Sequence, residues 1–133
     1  MPIKLGPLVG ATTHDEAKIW VQTYKPATLE CKIYTDQEAS NQVPNSPFIF
    51  RTAEKDGCTG LVTVSLPQDN MKYYYSVAEH KVSSSVPIPR IHSFRSFPAF
   101  NKEIESFSFG FVSCNKPEDL KMGKEPHLRN MWR

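Results

Sequence analysis

The sequence predicts a mainly β protein built around one antiparallel β-sandwich, and three observations lead there. Short segments alternate apolar and polar residues with a period of two, the mark of strands buried on one face. Turn signals separate these segments at the spacing a sandwich uses. Proline is plentiful and glycine sparse, 11 and 6 among 133 residues. That balance suits short strands on stiff connections and opposes a helical bundle.

Each element has its own justification. Residues 6–11 form an edge-like segment, because Pro7 has no N–H to give a ladder. Thr12, Thr13, His14 and Asp15 make a turn. Ala17, Ile19 and Val21 then alternate with Lys18, Trp20 and Gln22, and Leu29, Cys31 and Ile33 alternate with Glu30, Lys32 and Tyr34. The second pattern puts Cys31 on the apolar face as a small buried hydrophobe. Residues 35–47 are polar and proline-bearing, hence loop, before a short apolar burst at Phe48, Ile49 and Phe50. Residues 61–66 and 72–78 read as a hairpin-like pair around the turn 67–70. A last strand runs over residues 91–97 and closes at Pro98. The sandwich is therefore expected over residues 1–98.

From residue 99 the pattern changes. After a polar connector, residues 107–114 become apolar on both faces, as a strand does in a sheet covered by helices. Leu128, Met131 and Trp132 fall at the spacing of an apolar helix stripe. One strand and a helical stub cannot bury a core. Residues 99–133 are thus expected to be the truncated start of a second, α/β domain.

Charge and cysteine content narrow the function. With 16 Lys+Arg against 14 Asp+Glu the net charge is +2, which excludes nucleic-acid or anionic-membrane recognition driven by net charge. No window approaches the ~20 apolar residues of a membrane helix. The first ten residues make no secretory segment, an expectation that leans towards a cytoplasmic setting. Cys31, Cys58 and Cys114 are too widely spaced for a disulfide framework or a zinc pattern, though a single Cys31–Cys58 bridge stays open in an oxidising compartment. The four histidines are scattered, and no phosphate loop or nucleophile elbow is present.

Four segments together resemble the alkaline phosphatase D-like metallophosphatases. They are the stretch from Gly10-Ala11-Thr12-Thr13-His14-Asp15 to Ile19-Trp20-Val21, then Lys72-Tyr73-Tyr74-Tyr75, Phe94-Arg95-Ser96-Phe97-Pro98, and Phe109-Gly110-Phe111-Val112-Ser113-Cys114. They stand in the family's order and span residues 6–115. The leading domain of purple acid phosphatases is similar. The resemblance implies a fibronectin type III-like sandwich followed by a calcineurin-like catalytic domain that hydrolyses phosphate esters. It implies two metal ions in the parent, iron and calcium being the candidates, with Cys114 as a thiolate ligand. The other ligands of such a site are absent, since neither Gly-Asp nor Gly-Asn-His occurs. This chain alone is therefore expected to hold no cofactor and to lack activity.

Trp20 shares its face with Lys18 and Gln22, opposite the apolar stripe. A ring so placed needs cover. Two covers stand open: a neighbouring side chain of the sandwich such as a lysine stem, or a following domain or partner protein. Met131 and Trp132 raise the same question. Two functions follow. One is the leading portion of a metal-dependent phosphatase or phosphodiesterase, whose partners are its own catalytic domain and a phosphate ester. The other is a free-standing fibronectin type III-like protein-interaction module.

Overall fold

The computed structural model describes residues 3–80 and 89–113. Among these residues seven strands follow one another: β1 (Ile3–Thr12), β2 (Glu16–Thr23), β3 (Thr28–Tyr34), β4 (Phe48–Arg51), β5 (Thr59–Ser65), β6 (Lys72–Glu79) and β7 (His92–Arg95). A 3₁₀ turn, Glu54–Asp56, precedes β5. The strands form two antiparallel sheets, one ordered β1-β2-β5 and the other β4-β3-β6-β7. This is an antiparallel β-sandwich, as the alternation predicts.

The alternating residues fill the space between the sheets. β2 contributes Ala17, Ile19 and Val21, β5 Val62 and Val64, β3 Leu29, Cys31 and Ile33, and β6 Tyr73, Tyr75 and Val77, all buried. Each fully buried aliphatic side chain stabilises the fold by about 1.5–3 kcal/mol relative to exposure. Gly60 lets the sheets approach. A Cβ there would lie 3.0 Å from Thr52 Cγ2 and 3.1 Å from the Phe50 ring. At one end a buried polar pair replaces apolar contact: the Thr23 and Thr52 hydroxyls meet at 2.7 Å, and Thr52 Oγ1 also accepts the Ala27 N–H at 3.0 Å.

One pairing departs from expectation. Strands β5 and β6 do not form a hairpin, because β5 pairs with β2 while β6 pairs with β3 and β7. Alternation shows which face of a strand is buried but not which strand lies beside it. The chain leaves β5 at buried Leu66, and Pro67 offers no N–H to continue a ladder. Residues 67–71 then carry the chain across to the other sheet, with Asn70 in the left-handed region at φ 46°.

The crossover is held by side chains. The buried Tyr73 hydroxyl donates to the Gln68 carbonyl at 2.9 Å and accepts the Gln68 N–H at 2.8 Å. This local arch resembles the tyrosine corner of sandwich domains. Ser96 Oγ donates to the Gln68 carbonyl at 3.0 Å and accepts the Met71 N–H at 3.0 Å. Arg95 Nη1 donates to the Asn70 carbonyl at 2.8 Å, and the Asn70 N–H bonds the Phe97 carbonyl at 3.0 Å.

The chain divides into two compact units, Met1–Glu103 and Ile104–Arg133. Residues 104–113 of the second unit run without helix or strand, and Phe107, Phe109, Phe111 and Val112 are exposed. A strand needs a second strand to pair with, and the described residues supply none. The expectation of a second domain beginning here thus rests on the sequence.

Candidate functional site

Of the residues singled out above, Cys114, Met131 and Trp132 lie outside the described residues, and Trp20 lies within them. Trp20 is half-buried on the outer face of β2, with Lys18 and Gln22 beside it along the strand. The register fixes its neighbours, because Trp20 stands opposite Leu8 of β1 on one side and Leu61 of β5 on the other. Directly opposed residues on one face have Cβ atoms about 4.5–5.5 Å apart. A row Leu8–Trp20–Leu61 therefore crosses the sheet, and Leu5 extends it along β1. The leucines are left open, Leu5, Leu8 and Leu61 being 54%, 57% and 56% exposed.

The cover that Trp20 finds within the sandwich is thus two leucines. The Lys18 head is engaged across the same face, its Nζ donating to Thr63 Oγ1 at 3.0 Å. Gln22 is likewise engaged, its Nε2 donating to the Gly57 carbonyl at 3.0 Å. Tyr74 is not part of this face. It sits on the outer side of β6 in the other sheet, so a strand neighbouring that of Trp20 does not carry it.

β1 approaches β2 closely beside this row. Gly6 has φ +92°, and a Cβ on it would lie 2.9 Å from the Trp20 carbonyl oxygen. Glycine is what this position admits. Its follower Pro7 is joined through a cis peptide bond.

The cysteines and histidines of the described residues are separated. Cys31 and Cys58 are free thiols, which closes the alternative of a bridge between them. Cys31 is fully buried on β3, and burial pushes its thiol up to about 12, so it is inert packing as the alternation implies. His14 faces Asp15 at 3.7 Å, and His80 Nδ1 meets Glu30 Oε2 at 3.0 Å. His92 belongs to β7, its ring centroid 5.3 Å from that of Tyr75. Among the described residues no three of His, Cys, Asp and Glu come together as a metal ion requires. Also among the described residues, no helix is long and apolar enough to cross a membrane.

Sequence reasoning placed Trp20 on the right face but missed Leu8 and Leu61 as its neighbours. Residues 41 positions apart, such as Trp20 and Leu61, become adjacent only through pairing. The tyrosine run was legible as strand; which of its rings grips the preceding turn was not.

No family model matches the chain, and no curated protein matches it. Among solved structures, the chain is similar to one titled "Structure of PhoD", with a TM-score of 0.65 and 13% identity over 77% of this chain. The match covers 20% of that chain, so the sequence spans about one fifth of the length of that protein. At this identity the likeness is one of fold.

Proposed function

We propose that this chain is the leading portion of a larger metal-dependent phosphoric ester hydrolase of alkaline phosphatase D-like type. The observation that carries the proposal is the fold likeness to PhoD over 77% of this chain but only 20% of that one. The four ordered sequence segments support it independently.

In this reading the sandwich is a support. Its Leu8–Trp20–Leu61 row is a contact surface for a following domain or a partner protein, and Met131 and Trp132 are carried as contact residues from the sequence alone. Two half-exposed leucines flanking an indole form the kind of apolar patch that marks an interaction surface. Cys114 is assigned as a thiolate ligand, and iron and calcium are the proposed ions of the parent. Such ions, when bound, would polarise the phosphate ester and activate a water.

The test is the intact mass of the native protein from its source, by immunoprecipitation and mass spectrometry. A mass several-fold above 15.1 kDa is expected. A mass near 15.1 kDa overturns the reading and leaves a free-standing sandwich that binds a partner protein. That second reading draws on the sandwich itself, whose two sheets enclose one hydrophobic core among the described residues. In the larger protein, Trp20→Ser combined with Leu61→Ser should separate one unfolding transition into two. A single unchanged transition would remove this face from the contact.

A further inference from the structure

A second feature lies on the other sheet, away from the Trp20 row. On β6 and β7 a groove of ≈ 520 Å³ is lined by Lys72, Tyr74, Arg90, His92 and Ser93, with Gln37 reaching it from the loop after β3. Its size falls in the ordinary range of small-ligand sites, roughly 300–1,000 Å³.

The charge of this groove is one-sided. Lys72 and Arg90 are exposed cations, and no Asp or Glu lines the groove. Elsewhere the cations that line up with acids are neutralised, Lys32 by Glu30 at 3.3 Å and Lys102 by Asp69 at 2.7 Å. Among the described residues neither Lys72 nor Arg90 has such a carboxylate. Two cations lining one groove without a counter-charge give it a positive potential that favours an anion.

The groups are also arranged. Lys72 opens β6 opposite Arg95, at the end of β7, whereas Arg90 precedes the start of β7. Their backbones stand up to about 17 Å apart along the strand. Tyr74 lies between them, and the Lys72 ammonium is 5.5 Å from its ring centroid. The aromatic face therefore holds the Lys72 head beside the Tyr74 ring within the groove. Desolvation, followed by the Arg90 charge, holds His92 below the usual imidazole range, so its ring sits beside Arg90 uncharged at neutral pH. The Ser93 hydroxyl and the Gln37 amide are further donors, and neither makes a side-chain hydrogen bond among the described residues.

We propose that this groove binds a small organic oxyanion, a phosphate or sulfate ester, with Lys72 and Arg90 neutralising its charge and the Tyr74 ring carrying its organic part. Guanidinium and ammonium donors match tetrahedral oxyanions, the first through paired N–H bonds and the second as a point charge. The two cations equal the charge of a fully ionised phosphate monoester. The flat ring of Tyr74 favours an ester over the bare ion.

The test is a titration of the 133-residue chain with phenyl phosphate, phenyl sulfate and inorganic phosphate, followed by amide NMR shifts at constant ionic strength. Saturable shifts are expected at Lys72, Tyr74, Ser93 and the residues around Arg90, with a phenyl ester binding several-fold tighter than inorganic phosphate. Arg90→Gln and Lys72→Gln should each weaken binding about tenfold, the scale of one charge-assisted hydrogen bond. Both replace exposed side chains and should leave the spectrum folded. Tyr74→Leu should erase the preference for the ester while retaining binding of the ion. The ratio of phenyl phosphate to phenyl sulfate affinity identifies which ester the groove takes. Shifts that sodium chloride reproduces, or that persist in the Lys72→Gln/Arg90→Gln double variant, would overturn the proposal.

Discussion

Replacing Tyr73 by Phe removes one oxygen atom and leaves the ring in place, buried and stacked 5.8 Å from that of Phe94. Two hydrogen bonds disappear with the oxygen, one to the Gln68 carbonyl at 2.9 Å and one from the Gln68 N–H at 2.8 Å. Each intramolecular bond contributes about 0.5–1.5 kcal/mol net. The carbonyl keeps Ser96 Oγ as a donor at 3.0 Å, whereas the N–H turns to water at exposed Gln68. The loss should therefore lie near 2 kcal/mol and not at the larger cost of a stranded buried group. For a domain of this size that lowers Tm by roughly 8–16 °C. The assay is urea unfolding with thermal melts, with Tyr74→Phe as the matched control. Tyr74 lies on the outer face of the same strand, so its change should stay within about 0.5 kcal/mol. Equal stabilities of the two variants would refute the idea that the Tyr73 hydroxyl braces the crossover.

Three further outcomes follow from other parts of the fold. Alkylation of the native chain with iodoacetamide should label Cys58 and spare Cys31, whose buried thiol is held near 12, until denaturant is added; peptide mapping reads this directly. Gly6→Ala should cost about 1–3 kcal/mol, since a Cβ would press on the Trp20 carbonyl at 2.9 Å and φ is +92°, and chemical denaturation should show it. Asp69 is held below the usual carboxylate range by its bond from Lys102 and by the Ala99 N–H. Its folded pKa is depressed, so its stabilisation is present above the ordinary carboxylate pKa and fades as pH falls through the folded value. A lower protection factor for the Ala99 N–H at low pH, after correction for the intrinsic pH dependence of exchange, is the expected sign, and Asp69→Asn should reproduce it at neutral pH.

The parts of this fold that were legible in the sequence are those that a single strand decides for itself. Ile19, Cys31 and Val64 lie inward because alternation assigns a face, and Trp20 lies outward for the same reason. Pairing was legible only in part. The strands on either side of the turn 67–70 look like a hairpin, yet Leu66 and Pro67 send the chain to the opposite sheet. The two threonines that meet at 2.7 Å, Thr23 and Thr52, are 29 positions apart, and nothing local marks them as partners. The oxyanion groove was invisible for a similar reason. Gln37, Lys72 and Arg90 are ordinary surface residues until three separate segments bring them to one wall.

The bonds around residues 67–71 also decide how the chain leaves the sandwich. β7 is four residues long and pairs on one side with β6, a short grip on its own. Beyond it, Ser96 bonds the Met71 carbonyl, Phe97 the Asn70 N–H, Ala99 the Asp69 carboxylate and Lys102 the same carboxylate. The outgoing chain is thus stitched to the crossover in steps as far as residue 102. A pull on that exit would act first on these stitches in sequence and only afterwards on the β7 ladder. The five-residue crossing between the sheets therefore does two jobs, since the residues that join the two layers also anchor the segment that follows β7.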